Sequence, residues 1–227
     1  MKETSKTNEF RNADFFSKYM TGSVLDIGAG GDLVVPHAQE FDMKDGDANR
    51  IDQYLEKNSF DCVHSSHCLE HMFDPEDALQ RWWSLVKTGG HMVLVVPDEA
   101  LYEQGYWPSR FNTDHKARFR LKDDLTTKES KILSVESLAR DLKGAEVVSL
   151  SLQDFNYDYE LISQGQSFSE FGFSLKKVLW RIVRLKAKKD ISAKKTFDRL
   201  FFKWFSIPVD QTSYGTLAQI ELVLKKV

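Results

Sequence analysis

With 227 residues, 41% of them hydrophobic, and a formal net charge of −3, the chain is long enough to bury a core without disulfides or metals. It carries none of the overall cationic excess that marks nucleic-acid binding. Two cysteines, Cys62 and Cys68, make neither a disulfide framework nor a zinc array, which points to a reducing cytoplasm. The stretch Met1 to Asn12 is polar, with no apolar core of a leader, and no segment reaches the ~18 uninterrupted apolar residues of a spanning helix.

Taken in order, Ser23 to Ile27 (SVLDI) is a short apolar run ending in glycines, which predicts a buried first strand entering a tight turn. Phe60 to Ser65 (FDCVHS) predicts a second strand. The helix after it is announced by Asp74 as N-cap, Pro75 at the first helical position, and Glu76 and Asp77 in the first turn. Leu79, Trp82, Trp83 and Val86 then recur at helical spacing up to a stop at Gly89-Gly90. His91 to Val96 (HMVLVV) predicts a strand covered on both faces. Strand, helix and strand in this order predict a right-handed βαβ unit and a parallel sheet.

From Asp98 to Thr127 no period holds, so this stretch reads as a long loop or lid. Ser134 caps a helix running to Leu142, and Ala145 to Leu152 and Thr216 to Leu224 predict the last two strands. The residues between them, 153–214, exceed what a hairpin needs and read as an insertion within a single domain of residues 1–227.

The segment Val24-Leu25-Asp26-Ile27-Gly28-Ala29-Gly30-Gly31 resembles the first motif of class I S-adenosylmethionine-dependent methyltransferases. A strand with an acid near its end turns through glycines that let the backbone approach the cofactor. The dinucleotide fingerprint fails at Leu33, where its third glycine would stand. Phe60 to His71 (FDCVHSSHCLEH), then Asp74-Pro75, Lys87-Thr88-Gly89-Gly90-His91 and Val95-Val96-Pro97-Asp98, resemble in order and spacing the fourth strand, helix and fifth strand of small-molecule members of that class. The match is close from Ser23 to Asp98 and looser over the final strands.

The resemblance implies an α/β, Rossmann-like sheet with helices on both faces, S-adenosylmethionine as cofactor, and O- or N-methylation of a small-molecule or glycan acceptor rather than a nucleic acid. The path from Gly31 to Gly46 is short and leaves little room for a full first helix or third strand. That departure keeps a second reading open, a catalytically degenerate fold serving as a binding or scaffold protein. For the cofactor, the resemblance implies Asp26 at the ammonium, the backbone of Gly28, Ala29 and Gly30 along the turn, and Asp42 at the ribose hydroxyls. It further implies Asp47 with Ala48 at the adenine, and Ser66 and His67 after the fourth strand.

Methyl transfer is an in-line displacement on a sulfonium, so proximity and alignment carry much of it, while an acceptor that starts protonated also needs a base. His67, His71 and His115 are the candidates, with Asp114 placed to fix the imidazole tautomer of its neighbour His115. Tyr102, Tyr106, Trp107 and Arg110 are read as pocket walls. His67-Cys68-Leu69-Glu70-His71 spells the H-x-x-E-H string of some zinc hydrolases, but that chemistry needs both histidines on one helix face, and here the string sits at a strand-to-loop junction. No metal is therefore expected.

The chain's one strong charge concentration runs from Lys176 to Lys203. On a helix, Lys177, Arg181, Arg184 and Lys188 would share one face, opposite Val178, Leu179 and Ile182. It reads either as a helix packed on its own domain with a solvated basic face, or as a peripheral contact with the inner face of an anionic membrane.

Overall fold

The computed structural model describes residues 2–123, 132–162, 191–205 and 208–227. Lys177, Arg181, Arg184 and Lys188 of the basic face lie outside the described residues. Two short helices, α1 (Glu3–Asn8) and α2 (Ala13–Tyr19), precede β1 (Val24–Ile27), β2 (Gln39–Phe41) and β3 (Phe60–Ser66). Then follow α3 (Pro75–Ser84), β4 (Val86–Pro97), β5 (Arg118–Arg120), β6 (Ile132–Ser134), α4 (Val135–Asp141), β7 (Ala145–Gln153), α5 (Ile191–Phe205) and β8 (Gln219–Lys226).

Six strands form one sheet in the order β2-β1-β3-β4-β8-β7, and β5 pairs separately with β6. β2, β1, β3 and β4 run parallel, whereas β8 is antiparallel to both β4 and β7. The α/β sheet expected from the sequence is present. The chain turns to β2 on one side of β1 and to β3 on the other, so β1 marks the switch point at whose carboxyl edge open α/β sheets hold ligands.

Period-two alternation divides the apolar strands between two cores. Leu25, Ile27, Val63, Met92, Leu94, Leu222 and Leu224 meet Leu79, Trp82 and Trp83 of α3 and Val135 and Leu138 of α4. The intervening Val24, Cys62, Val93 and Val223 meet Phe15, Phe16, Tyr19 and Met20 from the α2 region and Val34 and Val35 from the loop after β1. That loop, residues 28–38, joins two parallel strands without a helix, although such crossovers usually carry one. α2 takes the covering place instead. It is capped by Asn12, whose side chain accepts the Phe15 N–H at 2.9 Å.

The helix starts expected at Asp74 and Ser134 are observed: Asp74 accepts from Asp77 N at 3.0 Å and Ser134 from Ser137 N at 3.2 Å. The stop after α3 differs from expectation. The helix ends at Ser84, and Val86 is already strand, paired with Phe60. Gly89 and Gly90 lie within β4 rather than ahead of it, beside an irregularity in the β3 register between Phe60 and Cys62. The physical reason is close approach: a Cβ on Gly90 would stand 2.7 Å from the Asp61 carbonyl oxygen. The stretch read as a loop from Asp98 holds a helical turn at Glu99–Glu103 and the strand β5, whose Arg118 and Arg120 both pair with Glu99.

Trp82 is fully buried in the larger core, and its Nε1–H donates to the Ala48 carbonyl at 2.8 Å. Trp82→Ala is expected to cost about 3–5 kcal/mol of stability, measured by urea unfolding, and to release the segment that carries Asp47. A cost under about 1 kcal/mol would mean that the site collapses around the smaller side chain.

Asp98, at the end of β4, is buried, and desolvation raises its pKa to about 6. The Glu99 charge adds to the rise, while hydrogen bonds from Leu101 and Ala100 and the Arg120 charge oppose it. The folded state therefore holds this proton to higher pH than the unfolded chain, whose aspartate titrates near 3.9. Its contribution is fully present below that value and is lost as pH rises through about 6. Between pH 4 and 7 the parent should lose about 2–3 kcal/mol relative to Asp98→Asn. Urea midpoints across that window measure it, and parallel profiles for the two proteins would refute it.

Candidate active site

The carboxyl ends of β1, β2 and β3 open into a cavity of about 870 Å³ lined by Gly28, Gly30, Asp42, Asp47, Ala48, His67 and His71, with Phe41, Tyr54, Cys68, Met72 and Asp114 among its other walls. A smaller pocket of about 220 Å³ continues past the turn, lined by Glu3, Ala29, Ser66 and His67. The turn is tied to β2: Gly30 N–H donates to Asp42 Oδ2 at 2.8 Å, and Gly31 N–H to Glu40 Oε1 at 2.7 Å. Gly28 has φ +74°, and a Cβ there would lie 2.5 Å from Cys68 Sγ. Burial pushes the Cys68 thiol up to about 12, so this cysteine packs beneath the turn as a neutral group.

Asp47 lines the cavity, and its carboxylate caps the next turn through Asn49 N at 2.9 Å; the Asn49 side-chain amide, and after it that backbone contact, hold it below the usual carboxylate range. Asp26 does not line the cavity. It is fully buried behind the turn, where Oδ2 accepts the Val34 N–H at 2.6 Å and Oδ1 meets His64 Nδ1 at 2.7 Å. The acid of the first motif thus braces the loop from within.

Three histidines gather at the other end of the cavity, around Glu70. This carboxylate is fully buried, and neither of its oxygens has a hydrogen-bond partner. Its Oε1 is faced by His67 Nδ1 at 3.6 Å, His115 Nε2 at 3.9 Å and His71 Nε2 at 4.0 Å. Burial works against the Glu70 charge, but the imidazoles outweigh it and hold the carboxyl below its ordinary value. His67, with φ +53°, also meets Gln219 Oε1 through Nε2 at 3.0 Å. Burial opposes a charge on His67, yet Glu70, Glu3 and Gln219 together raise its pKa.

Asp114 pairs with His71, Oδ2 to Nδ1 at 2.9 Å, and not with its sequence neighbour His115. The partner of His115 is Glu103, at 2.6 Å. His115 is buried and stands behind His71, ring centroids 5.0 Å apart, so it does not line the cavity. Nor do Tyr102, Tyr106, Trp107 and Arg110: Tyr102 packs on His115, Arg110 lies over Tyr106, and Trp107 lies under Arg118. Leu69–His71 is a single 3₁₀ turn, which gives His67 and His71 no common helix face.

A family profile described as a methyltransferase domain matches residues 11–146. The chain belongs to this methyltransferase family. No curated protein matches it in sequence. In fold it is similar to a candidate sarcosine dimethylglycine methyltransferase from Galdieria sulphuraria, with 13% identity over 99% of this chain and 84% of that one, at a TM-score of 0.50. A candidate methyltransferase from Bacillus halodurans aligns over 99% of this chain and 98% of its own, again with 13% identity and a TM-score of 0.50.

The cofactor of this methyltransferase is S-adenosylmethionine, and the residues present suit it. The cavity falls within the ~300–1,000 Å³ of small-molecule sites, and the turn that borders it leaves no room for a Cβ at Gly28. The Ser66 hydroxyl is buried in the smaller pocket without a partner. The walls supplied by Tyr54 and Met72 escape sequence reasoning, because only the fold brings them beside the glycine turn.

Proposed function

We propose that this methyltransferase transfers the S-adenosylmethionine methyl group to an oxygen or nitrogen of a small-molecule or glycan acceptor. The observation that carries this reading is one continuous cavity leading from the glycine turn, past Asp42 and Asp47, to the imidazoles of His67 and His71. The bound cofactor supplies an electrophilic methyl on a good leaving group, so the chain's task is alignment and management of the acceptor proton.

In this reading the backbone of Gly28, Ala29 and Gly30 lies along the cofactor, and Asp42 accepts from the ribose hydroxyls with the lone pairs that Gly30 and Met43 leave free. Asp47 and Ala48 hold the adenine edge, and the Ser66 hydroxyl meets the amino-acid end. Asp26 acts through the Val34 N–H that it holds. His67 takes the acceptor proton. It borders both pockets, and a non-glycine residue held at positive φ is a strain that functional sites retain. Supporting this assignment over His115 is the burial of that ring behind His71.

The test is a screen of sugar, glycan and small amine acceptors for release of S-adenosylhomocysteine. Turnover on one of them supports the reading. Failure to bind S-adenosylmethionine at millimolar concentration, by calorimetry and by thermal shift alike, overturns it.

A further inference from the structure

Glu70 is a buried carboxylate whose two oxygens have no hydrogen-bond partner, a state proteins seldom retain without a reason. The groups that face it explain what is missing. His71 Nδ1 meets Asp114 Oδ2 at 2.9 Å, and His115 Nδ1 meets Glu103 Oε1 at 2.6 Å. An ionised carboxylate only accepts, so in the neutral form of each ring, the form that ligates a metal, the proton sits on Nδ1 and the bare lone pair of Nε2 turns inward. Two lone pairs and a carboxylate oxygen thus converge, the three atoms within 4.8 Å of one another, with no donor among them. A cation at their centre resolves this, and the carboxylate behind each imidazole is the outer-sphere arrangement that fixes metal-binding histidines.

We propose that Glu70, His71 and His115 bind a divalent transition-metal ion of the zinc class at the acceptor end of the cavity. Two imidazoles and one carboxylate suit such borderline ions, whereas magnesium and calcium favour all-oxygen sets. Bonds of about 2.0–2.1 Å in tetrahedral geometry place ligand atoms about 3.3 Å apart. The separations of 3.9 and 4.0 Å from Glu70 Oε1 then close by roughly 0.6–0.7 Å on loading, a side-chain adjustment. His71 and Asp114 both line the cavity, so the site adjoins it. An acceptor hydroxyl entering there would meet a Lewis acid that lowers its pKa. Only this consequence rests on the methyltransferase reading; the metal site does not. The ligand set also differs from the one the H-x-x-E-H string suggests: His115 takes the place of His67, whose Nε2 meets Gln219 Oε1 at 3.0 Å and whose Nδ1 faces Glu70 Oε1 from 3.6 Å without joining the three converging atoms.

Untagged full-length protein, stripped with chelator, is titrated with Co²⁺ and followed by visible absorption, with Zn²⁺ as competitor and S-adenosylhomocysteine binding measured alongside. The expected result is one equivalent of Co²⁺ with ligand-field bands in the visible, displaced by Zn²⁺. His71→Ala is expected to weaken binding at least 100-fold. Asp114→Asn, exposed and outside the ligand set, should weaken it 10–100-fold, and thermal melts check that both variants fold. A parent that takes up no stoichiometric metal overturns the proposal, as does equal uptake by parent, His71→Ala and Asp114→Asn. Metal uptake without S-adenosylhomocysteine binding would uphold the site and remove the methyltransferase reading instead.

Discussion

Replacing Gly28 with valine is expected to weaken S-adenosylhomocysteine binding at least 100-fold, equivalent to about 2.7 kcal/mol, in a protein that still unfolds cooperatively. Two effects add. Gly28 sits at φ +74°, where a β-branched residue is strongly disfavoured. Its new Cβ would also fall 2.5 Å from Cys68 Sγ and 2.7 Å from Cys68 Cβ, so either the turn lifts into the cavity or Cys68 moves with its loop. Both displacements disturb the wall that meets the cofactor. Steric conflict has a signature that general destabilisation lacks: Gly28→Ala combined with Cys68→Gly removes both close contacts and should recover part of the affinity that Gly28→Ala loses alone. Calorimetry on the three variants decides it. Parent-like affinity in Gly28→Val would falsify the assignment of this turn to the cofactor.

The parts of the fold legible in sequence are those whose cause is local. β1 and the second half of β4 are buried on both faces, so each is a mostly apolar run, while β3 shows itself by Phe60, Cys62 and Val63 at its start. The start of α3 is fixed by a capping aspartate and a proline side by side. The first half of β4 was not legible, because the residue that decides it, Gly90, answers to the carbonyl of Asp61 on the neighbouring strand and not to its own helix. α2 was missed although a signal existed: Asn12 as cap, followed by Phe15, Phe16, Tyr19 and Met20 at helical spacing. The helix lies between the two stretches that carried the reading, Met1 to Asn12 and Ser23 to Ile27.

Legibility in the site divides the same way. The glycine turn and the two acids after it fall within one short stretch, residues 28–47, and the structure places Gly28, Gly30, Asp42 and Asp47 on one cavity. The surroundings of Glu70 were not legible, since His115 and Glu103 arrive from a loop more than thirty residues away. What brings them is backbone pairing: the Glu70 carbonyl accepts from both Lys116 N, at 2.7 Å, and Ala117 N, at 3.2 Å. Adjacency misled at Asp114, whose carboxylate reaches His71 across the cluster instead of its neighbour. A side chain's partner is set by where its backbone docks, and that docking is a tertiary fact.

His67→Ala is expected to lower turnover on the true acceptor by about 10²–10⁴-fold, the usual range for loss of a general base, with S-adenosylhomocysteine affinity changed only a few-fold. The ring has two neighbours that orient it, Gln219 at 3.0 Å and Glu70 at 3.6 Å, and Gln219 is itself held by Thr7 of α1 and Gln153 of β7. An imidazole fixed from both sides can be a base or a wall, and the two roles separate under His67→Gln. Glutamine retains a polar group of similar reach but has no basic nitrogen. If His67 removes the proton, His67→Gln is as slow as His67→Ala at saturating cofactor and acceptor. If His67 only shapes the cavity, His67→Gln recovers most of the turnover and the residual loss sits in KM. Alanine is no better suited to φ +53° than histidine, so thermal melts on both variants separate a lost base from a disturbed turn. Parent-like turnover in His67→Ala would leave alignment within the cavity to carry the methyl transfer by itself.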